Sequence, residues 1–352
     1  MSVDRLHELL DAAVKLELAT IPPYLCALYS IRPGGNEEAT LVIRSIVVEE
    51  MLHMILSANV LNAIGGRPRV AGKENAPHYP HELPNGIVMD LQPFSAASVE
   101  AFLRVENPQH PPETSDSAPA TLMGRRTELH RSSARSVSAG PTTIGAFYGE
   151  ILDELTTVAS EIGERALFCG DPARQISGDF YYAGGGAPVA VTDLASARRA
   201  LAEVVEQGEG EMASPYDEDG DLAHFYRLEQ LKYDRSYLRS DTVGTPTGPS
   251  VGVDFRAVYP MIPNPREADY ADPDLRAASA TANRAWIRLL EQTDNAFDGA
   301  PSNLIPAVHT MFRLRDAMVV LLANPLPDSD GHHAGPTFEW EPSAPVRARA
   351  SR

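Results

Sequence analysis

The chain has 352 residues, room for one large domain or two modest ones at about 150 residues each, and its 43% apolar and 22% charged content is that of a folded globular protein. Its 30 basic residues against 48 acidic ones leave a formal charge of −18, which repels nucleic acid and anionic membrane surfaces alike. The apolar run at 317–323 falls far short of the roughly 20 residues a membrane helix needs, and the first residues carry no basic-then-apolar leader, so a cytoplasmic protein is expected. Cys26 and Cys169 form no C-x-x-C pair and are expected to be buried small hydrophobes.

Residues 4–31 read as a helix in which the stripe Leu6, Leu10, Ala13 runs on to Glu17, and Pro22-Pro23 is expected to kink or end it. A second helix over 37–64 carries Ile43, Ile46, Glu50, His53 and Ser57 on one face, until Gly65-Gly66 and Pro68 stop it. The stretch 65–141 is a long crossover with a short helical piece at about 98–105 and a polar, low-complexity segment after it. Thr143 is a plausible N-cap for a third helix over 143–168, whose stripe is Ile144, Phe147, Ile151, Leu155, Val158 and Ile162, with Glu150 and Glu154 beside it. A fourth helix spans 193–207, breaks at Gly208 and Gly210, and resumes at about 221.

Beyond a Gly- and Pro-rich stretch at 242–265, two more helices are expected at 273–298 and 302–323, and the best strand signal is DFRAVYPM. The pattern is that of an all-α protein. Residues 1–241 are expected to form a four-helix bundle with one long crossover, and 242–352 a C-terminal helical extension packed on that bundle rather than an independent unit.

An ionised carboxylate on a core-facing stripe is costly unless something neutralises it. Here the helices bring Glu17, then Glu50-x-x-His53 with both side chains on one face, then Glu150, and then Glu206-x-x-Glu209 and Asp221-x-x-His224. That set approaches the two-metal carboxylate centre of helix bundles, where two helices give one Glu each and two give Glu-x-x-His. A pair of dications would balance the buried acids. A lone Glu-x-x-His is more often a solvated helix face, and a metal-free hydrogen-bond network built from the same groups is the alternative.

The segments ELATIPPYLCALYSI (17–31), EEMLHMILSANVLNAIGGRP (49–68), TIGAFYGEI (143–151), VVEQGEGE (204–211), DLAHFYRLEQL (221–231) and HAGPTFEW (333–340) resemble the ferritin-like family of iminophenyl-pyruvate dimer synthase domains. The resemblance implies a ferritin-like bundle, a place in secondary metabolism, and oxidative coupling of imines derived from aromatic amino acids. It implies Glu17, Glu50, His53, Glu150, Glu209 and His224 as site positions, with Glu206 or Glu209 as the remaining carboxylate. Asp221 stands where family members tend to have Glu, so this shorter acid is an alternative ligand or stands behind the metal; Tyr24, Tyr148 and Tyr226 lie near the site positions in sequence and are expected to pack in the core, with hydrogen bonding to the ligands as the alternative. The dimer synthase carries a large region ahead of its domain that is missing here, so a different substrate is expected.

The implied cofactor is two divalent metal ions, iron first and manganese second, because oxygen ligands dominate and no cysteine is among the candidate ligands. The implied activity is oxidation of a small aromatic or amino-acid-derived metabolite, and the partner expected beside this substrate is a second copy of the chain in a homodimer, with neither nucleic acid nor membrane. A non-redox ferritin-like ligand-binding or assembly protein without bound metal is the alternative. Two other motifs are expected to be coincidental. Gly248-x-Ser250-x-Gly252 lacks the strand and helix a nucleophile elbow needs, and Gly208-x-Gly210-x-x-Ala213 follows a helix and holds acids where a pyrophosphate would lie. His309, His332 and His333 are expected to be exposed or packed, and Arg347, Arg349 and Arg352 to belong to a frayed tail.

Overall fold

The computed structural model describes residues 2–340 except 85, 109–142, 183, 210–213, 217–219 and 328. The polar connector after 108, Gly210 and Ala213, and the C-terminal arginines therefore lie outside the described residues. The first helix, α1 (Val3–Ser30), starts where the Ser2 hydroxyl accepts the Arg5 N–H at 3.3 Å. It buries Leu6, Leu10, Ala13 and Glu17 as the stripe predicts.

Pro22 and Pro23 do not end it. Neither can donate to the carbonyl four residues back, yet the helix runs through both. The carbonyl of Ala19, deprived of a donor by Pro23, accepts the Tyr79 hydroxyl at 2.7 Å instead. A buried side chain thus replaces the missing backbone bond.

The second helix, α2 (Glu37–Ala63), packs along α1. A short α3 (Ala96–Val105) follows, begun by a capping box in which Ser95 and Ser98 serve each other's backbone. Then come α4 (Ile144–Ile162), with the predicted Thr143 cap accepting Ala146 N–H at 3.1 Å, and the one-turn α5 (Glu164–Leu167). Gly163, at φ +87°, separates these two, so the third helix is shorter than its apolar pattern implied. The helix α6 (Leu194–Gly208) is capped by Asp193, and α7 (His224–Tyr233) begins at the histidine itself, three residues later than expected.

Four helices close a ring: α1 packs on α2 and α4, and α6 packs on the same two. The pair α3 and α7 lies together at one side, with α7 touching α2 and α6. On the other flank α8 (Pro273–Phe297) and α9 (Leu304–Leu322) form a hairpin, α8 against α2 and α9 against α1. Trp286, Leu290, Phe297 and Met318 from this hairpin are continuous with the bundle core.

DFRAVYPM is not a strand. Val258 makes only an isolated bridge to Ile31, and the described sheet is β1 (His81–Glu82) antiparallel to β2 (Val88–Met89). Cys26 is buried, but Cys169 is exposed, because the chain reaches it just after α5 has ended on the surface. The Ser250 hydroxyl donates to Asp234 at 2.7 Å in an exposed loop, which leaves the G-x-S-x-G motif as a turn. Among the described residues, no helix is long and apolar enough to cross a membrane.

Candidate metal centre

Glu17 of α1 and Glu50 and His53 of α2 face one another across the interface of those helices, and each is only 2% exposed. The Nδ1 atom of His53 lies 3.8 Å from Glu17 Oε2 and 3.6 Å from Glu50 Oε1. A second group shares Glu50. His224, the first residue of α7, brings Nδ1 to 3.3 Å from Glu50 Oε1 and 3.5 Å from Oε2 of Glu106, the residue that caps α3. The two imidazole rings stack at 5.4 Å between centroids.

These spacings suit metal ligands. Donors bound at about 2.1 Å to one ion stand roughly 3.0 to 3.6 Å apart, close to the distances observed. The outer nitrogens of both rings are already committed, which decides which atom faces inward. His53 Nε2 meets Gln207 Oε1 at 2.9 Å, and the Gln207 amide nitrogen is turned away onto Gly185 O and Glu203, each at 2.8 Å. Gln207 therefore accepts from Nε2–H, so that in the neutral ring Nδ1 carries the lone pair. His224 Nε2 lies 2.7 Å from Glu49 Oε2, a carboxylate that also takes a 2.8 Å bond from Arg227. Its Nδ1 is fully buried with no hydrogen-bond partner, an orphan that a metal ion would satisfy.

Hydroxyls hold the remaining carboxylate oxygens. Tyr24 donates to Glu106 Oε1 at 2.7 Å, Tyr148 to Glu17 Oε1 at 2.5 Å, and Thr20 to Glu50 Oε2 at 2.5 Å. Burial, with the neighbouring carboxylates, keeps both tyrosines protonated well above the usual range, so they act as donors.

In the metal-free protein burial pushes the Glu17 carboxyl up to about 7. Burial also works against charge on Glu50 and His53, but there the contacts prevail. His224 and His53 hold Glu50 well below the carboxylate range, and Glu17 and Glu50 lift His53 to about 10. Glu106, Glu49 and Glu50 raise His224 against its burial in the same way.

A ferritin-like family model matches residues 10–233. The chain belongs to the ferritin-like family. It is 24% identical over 343 residues to the dichlorochromopyrrolate synthase of Lentzea aerocolonigenes, an alignment that covers 86% of this chain and 30% of that protein. The chain thus spans less than a third of the length of this curated relative. A crystal structure of a ferritin-like protein from Caulobacter vibrioides aligns with a TM-score of 0.57 at 20% identity, over 91% of this chain and 95% of that one, a likeness of fold.

Within this ferritin-like bundle Glu17, Glu50, His53 and His224 converge, while the other expected ligands do not. Glu150 points outward from α4 and pairs with Arg5 at 3.2 Å, and the face of α4 turned to the cluster carries Tyr148 instead. Glu206 is exposed because the buried stripe of α6 runs through Leu201, Val204 and Gly208. Glu209 is buried, but its carboxylate accepts the Gly145 N–H at 2.6 Å at the start of α4. Asp221 is exposed, in the segment before α7 begins. Tyr226 packs edge-on against Phe225 and Tyr237.

Glu106, Glu49 and Gln207 were not anticipated. The signal for Glu106 was present: Val99, Phe102 and Leu103 are buried on α3, and Glu106 continues that spacing. Replacing Glu49 with Gln keeps its size but weakens the acceptor for His224 Nε2–H. Competition against a chelating dye should show metal affinity reduced about 10- to 100-fold, and unchanged affinity would deny Glu49 this orienting role.

Proposed function

We propose that this ferritin-like chain is an oxidoreductase that holds two divalent metal ions, iron or else manganese, and acts on a small aromatic or amino-acid-derived metabolite of secondary metabolism. The observation that carries the reading is the shared carboxylate. Glu50 belongs to both His-carboxylate groups, and both histidines present Nδ1 to it with Nε2 held from behind. The donors are oxygen and imidazole nitrogen without thiolate, a set suited to iron or manganese. The name of the Lentzea relative, a synthase, supports a biosynthetic small-molecule substrate.

Glu17 and His53 would hold one ion, Glu106 and His224 the other, and Glu50 both. Bound there, the pair supplies redox chemistry with dioxygen. The protein's own part is to fix the ligands: Tyr148, Thr20 and Tyr24 each pin one carboxylate oxygen, leaving the other free to bind. The buried apolar shell keeps bulk water from these acids.

The test is elemental analysis of protein purified without a His-tag, followed by anaerobic Fe(II) titration and exposure to oxygen. About two ions per chain and oxygen consumption are expected. A chain that takes up no metal would leave the acids as a hydrogen-bonded network and withdraw the oxidase reading. Loading should also release protons. In the metal-free state the neighbouring carboxylates raise both histidines, His53 to about 10, and so favour their protonated rings. Binding requires the neutral ring, so protons leave on loading, and affinity falls as pH falls. Dye-monitored proton release in weak buffer measures this, and tighter binding at lower pH would contradict it.

A further inference from the structure

A groove of about 710 Å³ runs between the end of α1, the first turns of α2 and the outer side of α9, and no residue of the two metal groups lines it. That volume is ordinary for a small-molecule site. Backbone bonds fix one wall: Tyr259 N–H donates to Ser30 O at 2.7 Å and Arg32 N–H to Ala257 O at 3.0 Å, which holds the Tyr259 segment against the end of α1. Leu41, Phe312 and Val319 also line the groove, yet each is at least 41% exposed, so a patch of apolar surface faces water there.

Arg32, Arg44 and Arg315 set its charge. The Arg32 guanidinium lies 5.3 Å from the centre of the Tyr259 ring and that of Arg315 lies 5.2 Å from the centre of Phe312, so two of the cations are carried on aromatic walls. Arg315 is paired with Asp316 at 2.7 Å, whereas Arg32 and Arg44, both exposed, have no carboxylate partner among the described residues. Burial raises the Tyr29 hydroxyl in the same lining, Arg315 and Arg44 draw it down, and Asp316 pushes it up again, so both guanidiniums stand near that oxygen.

Three guanidiniums against Glu37 in the lining and Asp316 beside it leave one positive charge, in a chain that carries −18 overall. A local excess of that sign draws an anion to a surface whose wider field repels it. A monoanion balances the excess, and a phosphate dianion would exceed it. Planar guanidiniums match the two oxygens of a carboxylate, and the apolar walls suit a flat ring.

We propose that the groove binds an aromatic monocarboxylate, its carboxylate taken by the arginines and its ring lying on the apolar wall. The site is separate from the metal centre and does not rest on the oxidase reading. The test is calorimetric titration of the full chain with 2-naphthoate, with 2-naphthamide as a neutral ligand of the same shape, and with acetate as a carboxylate without a ring. Metal-loaded protein and chelator-treated protein are both titrated, and the second excludes a carboxylate bound to the metal ions.

In both, 2-naphthoate should bind about 5- to 10-fold more tightly than 2-naphthamide, and acetate should show no binding where 2-naphthoate saturates. Arg44→Gln, at an exposed position and with thermal unfolding as the check on folding, should weaken 2-naphthoate about fivefold and leave 2-naphthamide unchanged. Arg313→Gln removes the same charge from an exposed residue of α9 outside the lining and should change neither. If 2-naphthoate fails to bind the chelator-treated protein, if 2-naphthamide or acetate binds as tightly, or if Arg313→Gln costs as much as Arg44→Gln, the proposal is overturned.

Discussion

Glu50→Ala is expected to empty both metal positions at once, taking metal content from about two ions per chain to near zero with helical content unchanged by far-ultraviolet circular dichroism. The reason is geometric. Glu50 Oε1 lies 3.6 Å from His53 Nδ1 and 3.3 Å from His224 Nδ1, so a single carboxylate closes both groups. Without it, each position keeps one carboxylate and one imidazole, too few to hold a divalent ion firmly. His53→Ala should behave differently, because it dismantles one group and spares Glu50, Glu106 and His224. About one ion per chain should remain there. Glu50→Ala protein that still carries two ions would refute the shared-ligand assignment.

The second large effect separates two glutamates that sequence patterns alone would rank the other way. Glu106→Gln should lower the affinity of the second position by about 10- to 100-fold, read as a drop toward one ion per chain under competition with a chelator. The amide oxygen can still accept the Tyr24 hydroxyl, so the substitution removes charge with little loss of packing. Glu150→Gln should leave metal content unchanged. Its partner is a half-exposed Arg5 on the surface, and such a pair contributes no more than about 1 kcal/mol to stability. Equal losses in the two variants would mean that α4, rather than α3, supplies the third carboxylate.

The long helices were legible because their stripes repeat over many turns, and Glu17, Glu50 and His53 were found by following those stripes onto polar residues. The same procedure misplaced Glu150, which lies beside its stripe, one position before Ile151. Glu106 was hidden for another reason. It caps a helix of ten residues, and a short helix gives periodicity little length in which to declare itself. His224 was legible, but the spacing to Asp221 misled, because residues 221–223 precede α7 and helical spacing does not apply to them. The roles of Gln207 and Glu49 depend on which atom of each histidine faces inward, a property of three-dimensional placement that no spacing rule contains.

The path of α1 through Pro22 and Pro23 has an evolutionary consequence. Because the Tyr79 hydroxyl takes the place of the amide that Pro23 lacks, positions 23 and 79 are not free to vary independently. Loss of the hydroxyl is tolerable only in a background where residue 23 has regained its N–H, and a proline arriving at 23 is tolerable only where a donor already waits at 79. Across descendants of this chain the two sites should change together and in a preferred order, although they stand 56 positions apart in sequence.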